Sequence, residues 1–234
     1  ILVPTTAGTG SEVTPVAVIT TGATTKAGVS SPVLLPDVAV LDAALTLGLP
    51  PAVTAMTGVD AMVHAIEAYT SRHKKNPLSD NLAITALQLL SRNIRSAVRE
   101  GSNQQARENM LLGACLAGQA FANAPVAAVH ALAYPLGGHY HIPHGLSNSL
   151  VLPSVLEFNA PEANELYAQL AEVVTGAPVA GSAEAKTAAL IAAVRQLIAD
   201  VALPATLQEA KVKKSDLEML ASDAMLQQRL LVNN

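Results

Sequence analysis

One cysteine, no tryptophan and only six Phe or Tyr residues occur in 234 positions, and charged residues make up just 14% of the chain. The single Cys115 excludes a disulfide framework and fits a reducing cytoplasm, with packing in an apolar helical run as its role. The scarcity of charge, against roughly a quarter in ordinary soluble domains, leaves little surface dedicated to solvent. It predicts a thick helical core and a buried partner interface, hence a homodimer or larger homo-oligomer. A net charge of -4 without any Lys/Arg cluster argues against a nucleic-acid partner. No basic n-region precedes the apolar opening at Ile1, so no signal peptide is read there. Opening without Met and directly into an apolar run, the sequence reads as beginning inside a protein. The uncharged stretch from Met110 to Val129 is long enough to span a bilayer, but Gln119, Asn123 and Pro125 interrupt it. A buried core helix ending near Asn123 is expected instead, and no membrane partner.

What is present divides at Pro50-Pro51. Before it, Ile1 to Pro4, Val16 to Thr20 and Val38 to Leu41 read as strands, separated by turn-rich pieces at Thr21-Gly22-Ala23, Ser31-Pro32 and Pro36-Asp37. After it the periodicity is helical, with helices expected over 51–71, 79–99, 103–122, 126–136, 147–158, 163–174, 183–201 and 214–228. The chain is thus expected to be an α/β remnant at 1–49, the end of a nucleotide-binding domain, followed by a mainly α-helical metal-binding domain at 50–234.

Four side chains stand out chemically. Asp60 and His64 are four apart in a helical segment, so both lie on one face within reach of a single ion. Alone, such a pair reads as a helix contact worth a few tenths of a kcal/mol. Here its neighbours Val59, Ala61, Met62, Val63, Ala65 and Ile66 are apolar, and an ionised Asp among them needs a compensating cation. His130 and His144 lie fourteen apart inside a run without Asp, Glu, Lys or Arg from Asn109 to Leu156, which also holds His139 and His141. A helix carrying His130 and a loop returning His144 would complete a carboxylate-plus-three-imidazole set, suited to Fe(II), Zn(II) or Ni(II) rather than Mg(II) or Ca(II). His73, in a basic polar turn, reads as solvated. The Gly/Thr loop from Pro4 to Glu12 follows a strand and offers N–H and hydroxyl groups to phosphate or ribose oxygens, without being a Walker A or G-x-G-x-x-G motif. Lys26 reads equally as a cofactor charge partner or a surface lysine.

These motifs, together with Leu35-Pro36-Asp37-Val38-Ala39, Thr46 to Pro51, Gly58 to Tyr69 and the histidine-rich stretch from His130 to Asn148, resemble the iron-containing (group III) alcohol dehydrogenase family along the whole chain. The resemblance implies a dehydroquinate synthase-like architecture, with an α/β nucleotide-binding domain before an all-helical one and a cleft between. It implies Asp60, His64, His130 and His144 as metal ligands. Thr5, Thr6, Thr9, Thr14 and Val16 would line NAD or NADP, with Lys26 near its ribose and phosphates. The implied reaction interconverts a primary alcohol and its aldehyde by hydride transfer to or from NAD(P), the metal polarising the oxygen. His141 or His139 would relay the proton. A Zn(II)-dependent polyol (glycerol-type) dehydrogenase and a catalytically inert metal-binding fragment are the alternatives. The chain departs from the family in three places. It has no upstream Gly-Gly-Gly-Ser pyrophosphate loop, it stops before a further terminal helix, and it carries Tyr134 where many relatives have a histidine near cofactor and substrate.

Overall fold

Pro50 and Pro51 start the principal helix by their own chemistry. Pro50 is extended, and Pro51 occupies the first helical position of α1 (Pro51–Thr70), where a missing N–H leaves nothing unsatisfied. The computed structural model describes residues 1–22 and 26–234, apart from the side chains of Thr20, Lys26 and Ala27. The Ala23 end of an expected turn and the role expected of the Lys26 side chain therefore lie outside the described residues.

From Gly58 to Tyr69 every residue of α1 is buried, and Thr54 and Ala55 before them. A helix apolar on nearly all sides is stable only when other elements surround it. Here α2 (Pro77–Arg99), α3 (Gln104–Asn123) and α5 (His144–Thr175) do so. Leu87, Leu90 and Ile94 of α2 are completely buried against this core, each contributing about 1.5–3 kcal/mol by leaving water. The starts of α2 and α3 are set by side-chain caps. Asn76 Oδ1 accepts from the Leu78 and Ser79 amides while Ser79 Oγ accepts from the Asn76 amide, and Asn103 Oδ1 accepts from Ala106. That cap begins α2 two residues before the expected Ser79. Arg107 of α3 is buried and donates to Thr54 Oγ1 at 2.7 Å and Gly101 O at 3.0 Å, tying α3 to the first turn of α1.

The remaining helices are α4 (Ala128–His139), α6 (Ala183–Asp200), α7 (Leu217–Met225) and α8 (Gln228–Leu231). Three expectations need correction. The two helices expected at 147–158 and 163–174 are one, because α5 runs through Pro153 and Pro161. Both of its halves bury apolar faces, Leu152, Val155 and Leu156 on one side and Tyr167, Leu170 and Ala171 on the other. Pro161 falls where the chain is exposed, so the carbonyl of Glu157 that it deprives of a donor can be hydrated. The single helix expected at 214–228 is instead a 3₁₀ turn followed by α7 and α8. The break at Leu226-Gln227 lets Leu230 become buried and brings Asn233 to Arg72 and Val126. Of the three expected strands only β1 (Val16–Thr20) forms as such. It pairs antiparallel with β2 (Lys26–Ser30), while Leu2 and Ala39 share one isolated parallel bridge. Without a further neighbour, Leu2, Val3, Val38 and Val40 stay exposed.

No single helix among the described residues is long and apolar enough to cross a membrane; α3 and α4 reach that length and composition only together, bent by 108°. Cys115, in α3, is buried, and burial followed by the nearby Glu12 pushes its thiol up to about 11, which suits packing rather than reactivity.

Candidate metal centre

The continuous burial of α1 makes two of its side chains anomalous. Asp60 and His64 are 2% and 5% exposed, so their polar atoms must find partners inside the protein. They find them on two other elements. His130, 4% exposed, stands in the first turn of α4, and His144 is the first residue of α5, preceded by Pro143. One potential ligand atom from each of the four lies within 4.8 Å of all the others. His64 Nε2 is 3.9 Å and His144 Nε2 3.7 Å from Asp60 Oδ1. A tetrahedral site with bonds of 2.0–2.2 Å has ligand–ligand edges of about 3.4 Å, so a small contraction brings these atoms onto one cation. The imidazoles of His64 and His130 are stacked at 4.9 Å, and His144 tilts over His130 at 5.3 Å. Contrary to the expected loop, a helix start carries His144.

Close approach of α5 to α1 makes this possible. A Cβ on Gly145 would lie 2.3 Å from Met56 O and 3.3 Å from Asp60 Cβ, so only glycine lets the start of α5 touch α1 there. Asn148, one turn further along α5 and fully buried, places Nδ2 2.5 Å from Asp60 Oδ1 and 3.3 Å from Nε2 of both His130 and His144. Its own Oδ1, and His64 Nδ1, are buried without a hydrogen-bond partner among the described residues. Lone pairs thus converge on one position, where the potential is negative, and unsatisfied polar atoms surround it. That is the environment a divalent cation completes.

A fifth residue, invisible to motif reading, stands behind the set. Glu67, 4% exposed, accepts the Val129 amide at 2.7 Å on Oε1 and meets His130 Nδ1 at 2.6 Å with Oε2. This holds the Nδ1 proton on the glutamate side and leaves Nε2 facing the centre, the usual support for a ligating histidine. Two buried carboxylates, Asp60 and Glu67, also match the charge of a divalent ion. Burial pushes the Asp60 carboxyl up, but the three imidazoles and Asn148 outweigh it and leave it below its ordinary value. His130 is raised, because the Glu67 carboxylate overcomes burial. His64 is pushed down to about 4, burial prevailing over Asp60.

That last value carries a pH dependence. In the unfolded chain His64 binds a proton near pH 6.5, and in the folded chain only near 4. Between those limits the unfolded state holds more protons, so stability rises with pH and is lost on acidification, by on the order of 3 kcal/mol across the window. His130, being raised, acts with the opposite sign above that window. Urea midpoints of the metal-free chain should fall steeply between about pH 6.5 and 4, and a His64→Gln variant should show a flatter profile. Equal slopes for the two proteins would refute the assignment.

The four residues open onto a cavity of about 690 Å³, whose wall also holds Thr9, Thr14, Val16, Phe121 and Tyr134. His144 is the accessible member, its side chain 37% exposed. Gly10, in the left-handed region at φ 61°, packs the Gly/Thr loop onto Gly118 of α3, where a Cβ would fall 2.5 Å from the Gly118 Cα. Thr5 and Thr6 stand outside the wall. The structure does not bring His139 or His141 to the centre. His139 pairs with Asp223 of α7 at 2.6 Å, and His141 is exposed in the link between α4 and α5, in the left-handed region at φ 54°. Helical spacing signals two of the unforeseen residues, Glu67 three after His64 and Asn148 four after His144, although an acid and an amide at such spacing are common.

The arrangement defines a helical protein with a mixed carboxylate–imidazole site for a divalent transition metal beside a Thr/Gly loop. Residues 54–234 match the model of the Fe-containing alcohol dehydrogenase family, C-terminal, and residues 1–43 that of iron-containing alcohol dehydrogenase. The chain belongs to the iron-containing alcohol dehydrogenase family. It is 45% identical, over its full length and 59% of the relative's, to long-chain-alcohol dehydrogenase 1 of Geobacillus thermodenitrificans. A solved structure of a 1,3-propanediol oxidoreductase superposes with a TM-score of 0.94 at 41% identity, covering 99% of this chain and 60% of the other. The sulfoacetaldehyde reductase of Bifidobacterium kashiwanohense, solved with NAD+, matches at TM-score 0.84 and 31% identity, covering 99% and 59%. The chain thus spans about three-fifths of the length of these relatives.

Proposed function

We propose that this chain carries the metal site and part of the nucleotide site of an NAD(P)-dependent oxidoreductase that interconverts a primary alcohol and its aldehyde. The observation that supports it most directly is the convergence of Asp60, His64, His130 and His144 on one wall of a cavity shared with Thr9, Thr14 and Val16. In this reading those four hold Fe(II), with Zn(II) accepted by the same donors. Thr5, Thr6, Thr9, Thr14, Val16 and Lys26 serve the dinucleotide, residues 1–49 closing its domain and 50–234 forming the helical one. When bound, the metal stabilises negative charge on the substrate oxygen and the nicotinamide accepts or supplies the hydride. The chain's own part is placement. Glu67 fixes the tautomer of His130, Asn148 holds Asp60 in position, and Phe121, its ring tilted against that of His64 with centroids 4.5 Å apart, excludes water on the apolar side. A homo-oligomer in the cytoplasm is the expected setting, supported by the low charge and by exposed apolar residues such as Val33 and Phe158.

Anaerobically loaded protein tests this in two independent steps. One Fe(II) per chain should bind, and NADH should be consumed with a short aldehyde. Metal binding without measurable NAD(H) affinity would leave a metal-binding fragment, and absence of stoichiometric metal would refute the centre itself.

A further inference from the structure

The cavity wall has an electrostatic bias opposite to that of the chain. The protein carries a net charge of -4, yet among the described residues the wall contains one acid, Asp60, and two bases, Lys74 and Arg229. A divalent cation would make it more positive still. Lys74 is an exposed lysine of the turn between α1 and α2. Arg229 is exposed too, but its backbone is fixed: it sits in α8, next to the buried Leu230, and its carbonyl accepts from Asn233 Nδ2 at 3.1 Å. Its guanidinium and the Tyr134 hydroxyl both lie within 4 Å of the Cβ position of Gly28, and the ring of Tyr134 lies 6.4 Å from that of His144. Gly28 of β2 makes room for the guanidinium, since a Cβ there would come within 2.7 Å of Arg229 Nη2. Among the described residues no carboxylate lies within ion-pair distance of Arg229, so its donors have no anionic partner from the chain.

We propose that Arg229 is a specificity-determining residue that selects substrates with an anionic group at the end away from the reacting carbon, that is, short hydroxy acids or hydroxy sulfonates and the corresponding aldehydes. The inference rests on the oxidoreductase reading above and names its substrate class. The oxygen of the alcohol or aldehyde sits at the metal centre, and the carboxylate or sulfonate reaches past Tyr134 to a planar fork of N–H donors. An uncharged alcohol of equal length leaves that fork without a partner. A charge-assisted hydrogen bond of this kind separates the two by about 10- to 100-fold.

The test uses the full chain loaded with metal. Binding of 4-hydroxybutyrate, isethionate, n-butanol and NADH is measured by calorimetry, and turnover of the corresponding aldehydes by NADH consumption. The acids should bind at least tenfold better than butanol, the tighter of them distinguishing a carboxylate from a sulfonate site. The preference should collapse in R229L and persist in part in R229K. G28A, which displaces only the tip of the guanidinium, should weaken it without affecting butanol. Equal binding of acid and butanol by the parent protein overturns the proposal. So does an R229L variant that keeps the preference and loses NADH instead, which would make Arg229 a cofactor contact. Should the acid preference hold while no aldehyde is reduced, the anion subsite stands and the oxidoreductase reading is what fails.

Discussion

Asp60→Ala is expected to lower affinity for Fe(II) or Zn(II) by roughly 10²–10³, taking the ~10–16 kcal/mol of a four-ligand site as shared among its donors. Any alcohol–aldehyde turnover should disappear with the metal. The substitution removes the only anionic ligand of the set, along with the acceptor that Asn148 meets at 2.5 Å. Three imidazoles then face the ion with only Glu67, one ring further out behind His130, to oppose its charge, in a site where Asp60 itself is 2% exposed. Competition against a chelator of known affinity under anaerobic conditions measures the loss. Glu67→Gln should cost less, about 10–100-fold, because it disturbs the orientation of His130 and leaves all four ligands. The ordering separates ligand from support. If Asp60→Ala binds metal as the parent does, the centre is not where these side chains converge.

The second large effect involves no polar group. Gly145→Ala should destabilise the fold by about 3 kcal/mol, a drop in Tm of about 10 °C for a chain of this size. Its Cβ would stand 2.3 Å from Met56 O and 2.8 Å from Met56 C. Both are backbone atoms in a buried helix, so no side chain can swing aside and α5 must draw away from α1. That movement also lengthens the 3.7 Å separation of His144 from Asp60, so metal affinity should fall together with stability. A methyl group on Gly48 would meet nothing within 4 Å, and Gly48→Ala serves as the neutral comparison. A Gly145→Ala protein that melts with the Gly48→Ala protein would show that the α1–α5 approach is looser than described.

Much of this site was legible in the residues alone. Spacing four on a helix puts Asp60 and His64 on one face wherever the helix packs. The absence of charge from Asn109 to Leu156 makes histidines there conspicuous, and the four motif residues converge in space. The structure also shows where such reading ends. His139 and His141 share the segment with His130 and His144, and composition cannot distinguish them. They diverge because α4 ends at His139 beside α7 and the backbone turns left-handed at His141, which places both away from the cavity.

The chain's local chemistry by itself determined the helical periodicity after Pro51, the caps at Asn76 and Asn103, the end of α5 at Gly176 and the placing of Asp60 and His64 on one face of α1. Each depends on residues within a turn or two of one another, where propensity and capping act. Tertiary structure alone decided that α5 passes unbroken through two prolines, that Glu67 faces a histidine 63 positions later, that Asn148 reaches an aspartate 88 positions earlier, and that Arg229 enters the same cavity wall as Asp60. Those pairings arise from helices crossing in a shared core. Their energy comes from burial and from satisfying polar groups that burial would otherwise strand, and neither quantity exists until the elements have packed.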